Sequence, residues 1–270
     1  MRVTFIGAGV MGRAIAEGAA AKEAQRWQFT FFDPNLKSAQ EAAQATSGTA
    51  ATTVEDAVQD AEVVVLAVKP QVQARVIEAL PKLADCVLVS IAAGRSLADI
   101  LASLSKAGQP SVPVIRVMPN LNAIVGSATS AICPDDLVSP EQLEAVTALF
   151  DAVGTTLQLD EHLISAFTAM AGSSPAWFFQ IVDDLARAGV KHGLTKAAAT
   201  SAACSTMLGS ALMLQKTLAE GGNAAELVDR VCSPGGTTIT GLLAAQEAGL
   251  GPSLVAAVDA TIARDRELGA

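Results

Sequence analysis

Val3-Thr4-Phe5-Ile6-Gly7-Ala8-Gly9-Val10-Met11-Gly12 is the stretch that decides the fold. Its first four residues predict a short buried strand, and the stretch Met11 to Ala21 predicts a helix. Between them stand three glycines in the spacing G-x-G-x-x-G, a weak signal alone and a specific one in this setting. Each glycine has a reason. Gly7 permits a tight turn, Gly9 lets backbone approach a pyrophosphate, and Gly12 lets the helix pack close to the strand. The amides at the helix start, those of Val10 and Met11 among them, face the anion. Asp33 ends a second apolar run, Gln28–Phe32, 24 residues after Gly9, where a carboxylate accepts the adenosine ribose hydroxyls and repels an added phosphate. These residues predict a dinucleotide site that favours NADH over NADPH, although Asn35 and Lys37 stand close enough to reshape the pocket. The blander alternatives are an ordinary strand-to-helix turn and a helix cap at Asp33 ahead of Pro34.

Working outward, apolar runs at Val63–Val68, Val87–Ile91, Val112–Val117, Ser127–Ile132 and Thr155–Leu159 predict further strands, most of them separated by Ala- or Leu-rich helical stretches. That alternation is the pattern of an α/β Rossmann-like N-terminal domain with a mostly parallel sheet, expected over residues 1–160. Open parallel sheets place ligands at the carboxyl ends of their strands. Ala67 and Lys69 ahead of Pro70, Ala92 in Ile91-Ala92-Ala93-Gly94, and Asn120 in Val117-Met118-Pro119-Asn120 are therefore expected to line the cofactor cleft. A solvated surface lysine is the alternative for Lys69. Beyond Asp160 no strand is expected, and residues 161–270 read as an all-α domain punctuated by Gly172–Pro175, Gly193, Gly221–Gly222, Ser233–Gly236 and Gly249–Pro252.

The composition narrows the function classes. The 270 residues carry a net charge of −9, with 51% hydrophobic and 17% charged residues, which argues against disorder and against a nucleic-acid partner. Cys86, Cys133, Cys204 and Cys232 lie far apart with no metal-binding or disulfide spacing, so neither a metal nor a disulfide framework is expected, and a reducing cytoplasm suits them. The apolar run after Arg2 with Ala19 to Ala21 imitates a secretory signal, but cleavage there would remove the glycine loop. Leu163 to Val182 and Ala197 to Gln215 carry no charge. Glycine, proline and small polar residues interrupt both, so they are expected to be covered by a partner subunit and not by a membrane.

The informative stretch in the second half is Val231-Cys232-Ser233-Pro234-Gly235-Gly236-Thr237-Thr238-Ile239, where a glycine turn opens onto a helical segment. Two glycines, two threonine hydroxyls and a helix start make a cradle suited to a carboxylate. Capping by Ser233, Thr237 or Thr238 is the alternative.

The chain resembles the pyrroline-5-carboxylate reductase family. The resemblance rests on this loop, the glycine fingerprint, Ala67-Val68-Lys69-Pro70-Gln71, Met118-Pro119-Asn120, Ser173 with Pro175-Ala176, and Ala188-Gly189-Val190-Lys191. It implies reduction of the cyclic imine 1-pyrroline-5-carboxylate to L-proline with NAD(P)H. It also implies a helical dimerisation domain and a homo-oligomer, a dimer or ring of dimers, whose active sites are shared between subunits. By the same resemblance Ser233, Gly235, Gly236 and Thr237 hold the substrate carboxylate, and Thr238 lies beside the ring nitrogen as the catalytic contact. Leu121-Asn122, Ser174 with Trp177, and Val54 depart from the usual family pattern. The rival functions are a reductase of another cyclic imine acid such as a piperideine carboxylate, a 3-hydroxyacid dehydrogenase, for which Lys191 is a poor catalytic lysine, and a non-catalytic dinucleotide-binding sensor. With only His162 and His192 and no tyrosine, a histidine or tyrosine proton donor is not expected.

Overall fold

The computed structural model describes residues 1–269. Eight strands form one sheet: β1 (Arg2–Ile6), β2 (Gln28–Phe32), β3 (Thr49–Ala50), β4 (Val63–Leu66), β5 (Val87–Ser90), β6 (Val114–Met118), β7 (Ala128–Pro134) and β8 (Gly154–Gln158). Their order is β3-β2-β1-β4-β5-β6-β7-β8, and every neighbouring pair is parallel except β6 with β7. The seven expected strands are all present. β3 was not foreseen, because two residues are too few to carry a period-two pattern. The helices among the strands are α1 (Val10–Glu23), α2 (Leu36–Thr46), α3 (Val54–Val58), α4 (Pro70–Glu78), α5 (Leu97–Lys106) and α6 (Pro140–Asp151).

Side-chain chemistry explains this architecture. The central strand β4 reads Val-Val-Val-Leu and is buried along its whole length, as a parallel strand covered on both faces must be. One face of the sheet packs Phe5, Phe29 and Phe31 with Ile15, Ala16 and Ala19 of α1, and the rings of Phe5 and Phe31 stack at 5.5 Å. The other face packs Val64, Leu66 and Leu88 with Ile77, Ile100 and Leu104. Small residues let α1 lie close: a methyl group on Gly18 would come within 2.3 Å of a Val153 methyl. Capping boxes start α5 at Ser96 with Asp99 and α6 at Ser139 with Gln142. Burial pushes the Asp99 carboxyl up, but hydrogen bonds from the Ser96 amide and hydroxyl outweigh it and hold the group below its ordinary range.

After β8 the described chain is helical throughout, as expected, with α7 (Ile164–Phe167), a π-helical turn over Thr168–Ser173, α8 (Ser174–Lys191), α9 (Lys196–Ala219), α10 (Ala224–Val231), α11 (Thr237–Glu247) and α12 (Leu250–Gly269). Residues 1–173 with 261–269 form one compact unit and residues 174–260 another. Strands stop near Asp160, whereas compactness divides the chain after Ser173. The intervening residues pack on the sheet. Ile164 and Phe167 join Ala131 and Cys133 in a small core, and Glu161 accepts a hydrogen bond from the buried Arg116 of β6 at 2.9 Å and another from the Leu97 amide at 2.6 Å.

Within the second unit α8 and α9 approach closely, since a methyl group on Gly189 would lie 2.9 Å from that of Ala199. Asp183 joins them by accepting from Lys196 at 2.5 Å and, on its own helix, from Arg187 at 2.6 Å. These bonds hold its carboxyl below the usual range. The rest of α9 is open. Its most apolar window is only 6% buried, and by length and composition alone this helix could cross a membrane.

Candidate functional site

The fingerprint loop joins β1 to α1 at the carboxyl edge of the sheet, beside the point where the strand order reverses between β1 and β4. Gly7 has φ +103°, and a Cβ there would stand 2.5 Å from the Ala67 carbonyl oxygen, so both conformation and contact demand glycine. A Cβ on Gly12 would sit 3.0 Å from that of Ala67. Ala67 thus seats two of the three glycines. Nothing lies within 4 Å of a Cβ on Gly9, which leaves the backbone open to an approaching group. Gly9 also caps α1 without a side-chain hydrogen bond, so the first amides of a 14-residue helix, including those of the exposed Val10 and of Met11, keep their donors for a ligand.

Asp33 belongs to the same cluster. One carboxylate oxygen accepts from the Ala8 amide at 2.9 Å and the other from the Asn35 amide at 2.8 Å. The two bonds fix the carboxylate at the end of β2 beside the glycine loop, and each oxygen keeps a lone pair for another donor. Next to the loop lies a cleft of about 500 Å3, bordered by Ala8, Gly9, Val10 and Arg13 on one side and by Ala123 and Ile124 on the other. Those last two residues come from a 3-10 turn, Leu121–Val125, that sequence reasoning did not foresee because five residues carry no usable periodicity. Arg13 is engaged by Glu17 and by Glu41 of α2, both at 3.1 Å. The open Gly9 backbone, the uncapped helix start and the fixed Asp33 together fit the pyrophosphate and ribose of a dinucleotide.

The other expected cofactor residues stand on the same edge in different ways. Lys69 is exposed and caps α4 ahead of Pro70. Ala92 is 5% exposed, with its amide 3.4 Å from the Ser90 hydroxyl. Asn120 is also 5% exposed, and its side chain is already committed: Nδ2 donates to the Ala171 carbonyl at 3.0 Å, and Oδ1 accepts from the Thr129 amide at 3.2 Å.

The second candidate region lies in the helical unit. Gly235 takes φ +67°, the Gly236 amide donates to the Ser233 carbonyl at 3.0 Å, and a Cβ on Gly236 would stand 2.3 Å from the Ser233 hydroxyl. Gly236 caps the 11-residue α11 and no side chain caps it, so the capping alternative for Ser233, Thr237 and Thr238 is not what forms. Among the described residues their three hydroxyls have no hydrogen-bond partner, and all three residues are exposed. Thr238 and Cys232 border a cleft of about 370 Å3 whose other walls include Met213, Leu214, Leu227 and Leu242. The arrangement offers free hydroxyls and helix-start amides beside apolar surface, which can take an anionic group on a small hydrocarbon ring. No cluster of metal-binding side chains occurs among the described residues.

Residues 161–268 match the family model for pyrroline-5-carboxylate reductase dimerisation, and residues 2–94 match that for NADP oxidoreductase, coenzyme F420-dependent. The chain is 34% identical to the pyrroline-5-carboxylate reductase of Methanosarcina acetivorans, an alignment covering 99% of this chain and 98% of that one. A pyrroline-5-carboxylate reductase structure from Coxiella burnetii superposes with a TM-score of 0.91 at 28% identity, over 99% of this chain and 98% of the other. The pyrroline carboxylate reductase of Plasmodium falciparum, solved with NADP bound, gives 0.85 at 25% identity, over 100% and 98% of the two chains.

Proposed function

The chain belongs to the pyrroline-5-carboxylate reductase family, and from that premise we infer its reaction: NAD(P)H-dependent reduction of 1-pyrroline-5-carboxylate to L-proline, the last step of proline biosynthesis. The single observation that carries this is a relationship running the full length of both chains, 34% identical over 99% of this one. The chain oligomerises through the region that matches the dimerisation model.

The finer assignment is ours. Bound NAD(P)H supplies the hydride for the C=N carbon. The protein's task is positioning, since a protonated imine is already electrophilic. Gly7, Gly9 and Gly12 with the amides of Val10 and Met11 receive the pyrophosphate. Asp33 receives the ribose hydroxyls, and its charge disfavours a 2′-phosphate, so NADH is the preferred cofactor. Ala67, Lys69 and Ala92 border the nicotinamide side. Ser233, Gly235, Gly236 and Thr237 hold the substrate carboxylate at the start of α11. Thr238 hydrogen bonds at the ring nitrogen, and the apolar cleft beside it accommodates ring methylenes. Residues 1–160 serve as the dinucleotide domain and 161–270 as the substrate and dimerisation domain, in a dimer or ring of dimers whose sites draw on two subunits. The enzyme works in the cytoplasm, with neither a membrane nor a nucleic acid as partner.

The test is NADH and NADPH oxidation with 1-pyrroline-5-carboxylate, wild type beside Thr238→Ala. Turnover is expected to fall about 10- to 100-fold in the variant while NADH affinity is retained. Unchanged catalysis would remove Thr238 from the reaction. Asp33→Ser should move the NADPH-to-NADH ratio of kcat/KM up about tenfold, the size of one lost like-charge contact. A second reading, reduction of a piperideine carboxylate, draws on the unusual Leu121, Asn122 and Trp177; a higher kcat/KM on the six-membered ring would select it.

A further inference from the structure

We propose that Asn120 is a positioning residue for this reaction, acting through the π-helical turn Thr168–Ser173 and not by touching the cofactor. The proposal rests on the reductase reading for its kinetic consequence, while its structural part stands apart from that reading.

The Ala171 carbonyl lacks its helical donor. In α-helical register the carbonyl of Ala171 is paired by the amide four residues on, and that residue is Pro175, which has no N–H. A carbonyl largely shielded from water and left unpaired is costly, and at the partly buried Ala171 the helix must either unwind or find a donor elsewhere. The backbone widens into a π turn over Thr168–Ser173, and the Asn120 side chain donates Nδ2–H to the Ala171 oxygen at 3.0 Å. Its other end accepts from the Thr129 amide of β7 at 3.2 Å, so the amide plane is clamped from both sides and its orientation fixed. Serine or threonine could not span the two partners, and aspartate would present an acceptor to an acceptor.

Packing supports the same seat. Gly172, inside the turn, lies against the end of β6, where a Cβ would stand 3.1 Å from Met118 Cε. The Thr168 hydroxyl at the head of the turn is buried and finds no partner among the described residues. The turn is therefore held on the sheet by the Asn120 bond and by the Met118 contact. Met118 and Asn120 close the carboxyl end of β6, the edge that carries the dinucleotide loop, and together they place Gly172 and Ser173 against that edge. π turns of this kind recur at functional sites, where a shifted backbone aims the residues that follow.

Two predictions separate positioning from direct binding. Asn120→Ala should lower kcat about 5- to 10-fold and leave the KM for NADH within about twofold, because the loop from Gly7 to Gly12 and Asp33 are untouched. A direct ligand would instead raise the KM for NADH. The decisive experiment is a double-mutant cycle with Pro175→Ala, which returns the N–H that pairs with the Ala171 carbonyl in α-helical register. Asn120→Ala should lower Tm by roughly 4 °C when Pro175 is present and by less than half of that in the Pro175→Ala background, with kcat recovering in parallel. The Thr129 amide loses its acceptor in both backgrounds, so that loss cancels in the cycle. Equal Tm losses in the two backgrounds would overturn the proposal. The thermal arm needs no substrate, so coupling in Tm without any imine reduction would refute the reductase reading and leave the Asn120 clamp standing.

Discussion

The two glycine loops of this chain both open onto a helix capped by glycine and differ in how they are walled. At Gly7 a positive φ coincides with a carbonyl 2.5 Å from where a Cβ would be, and the neighbouring Ala8 amide is held by Asp33. At Gly235 φ is also positive, but nothing lies within 4 Å. The first loop is completed by its own compact unit, with Ala67, Asp33 and the start of α1 all contributing. The second has the right local backbone and free hydroxyls, and its surroundings are solvent and apolar helix. A motif that finds all its neighbours inside one fold specifies a site by itself; a motif without them specifies only half of one.

Substitutions can break or sharpen that contrast. The largest effect belongs to Gly7→Ala, where a strained φ and an overpacked backbone contact together cost about 2–5 kcal/mol. NADH affinity measured by fluorescence titration should fall about 100-fold or more, and a retained affinity would show that the loop is not fixed by Ala67. Next is Glu161→Ala, which leaves the buried Arg116 without its partner; the Glu161 side chain is itself 32% exposed, so a loss of about 2 kcal/mol in denaturant unfolding is expected. Gly235→Ala should cost only the conformational penalty, about 1 kcal/mol. It should raise the KM for the imine acid severalfold while NADH affinity stays put. If it proves as damaging as Gly7→Ala, the second loop is walled as tightly as the first, by another subunit.

The smallest effect is electrostatic. Asp183 has its carboxyl held down by Lys196 and then Arg187, so its folded value lies below its unfolded one. That contribution to stability is present at neutral pH, where both states are ionised, and is lost as pH falls from the unfolded value near 3.8 through the lowered folded value. Asp183→Asn should therefore lower Tm slightly at pH 7, where the contribution is present, and flatten the dependence of Tm on pH below about 4, where wild type loses it as well. An unchanged acid limb would show that the α8–α9 contact is held by Gly189 against Ala199 alone.

Most of the sheet was legible because its strands are short apolar runs bounded by turns, as in Val63–Leu66. β3 was not, since Thr49–Ala50 is placed by pairing with β2 and not by its own pattern. The geometry of the glycine loop after β1 was legible because G-x-G-x-x-G encodes backbone conformation directly. Its ties were not: Asp33 reaches Ala8, and Arg116 reaches Glu161, across intervals of 25 and 45 residues that only the folded chain closes. Asn120 was legible as a residue at the right edge, but its bond to the Ala171 carbonyl stands where Pro175 has no amide to give, and no local pattern announces that relation. Thr238 is singled out by resemblance alone, while the lack of any side-chain cap on α11 shows only in the folded chain.

The exposure of α9 carries a consequence for how the molecule matures. A helix of 24 residues whose most apolar window is 6% buried cannot reach its final environment by first-order rearrangement of one chain. The appearance of activity on refolding should follow second-order kinetics at low chain concentration, its half-time halving as concentration doubles. Newly made chains would then wait on encounter, and the abundance of neighbours, more than the speed of folding, would set how quickly the enzyme comes into use.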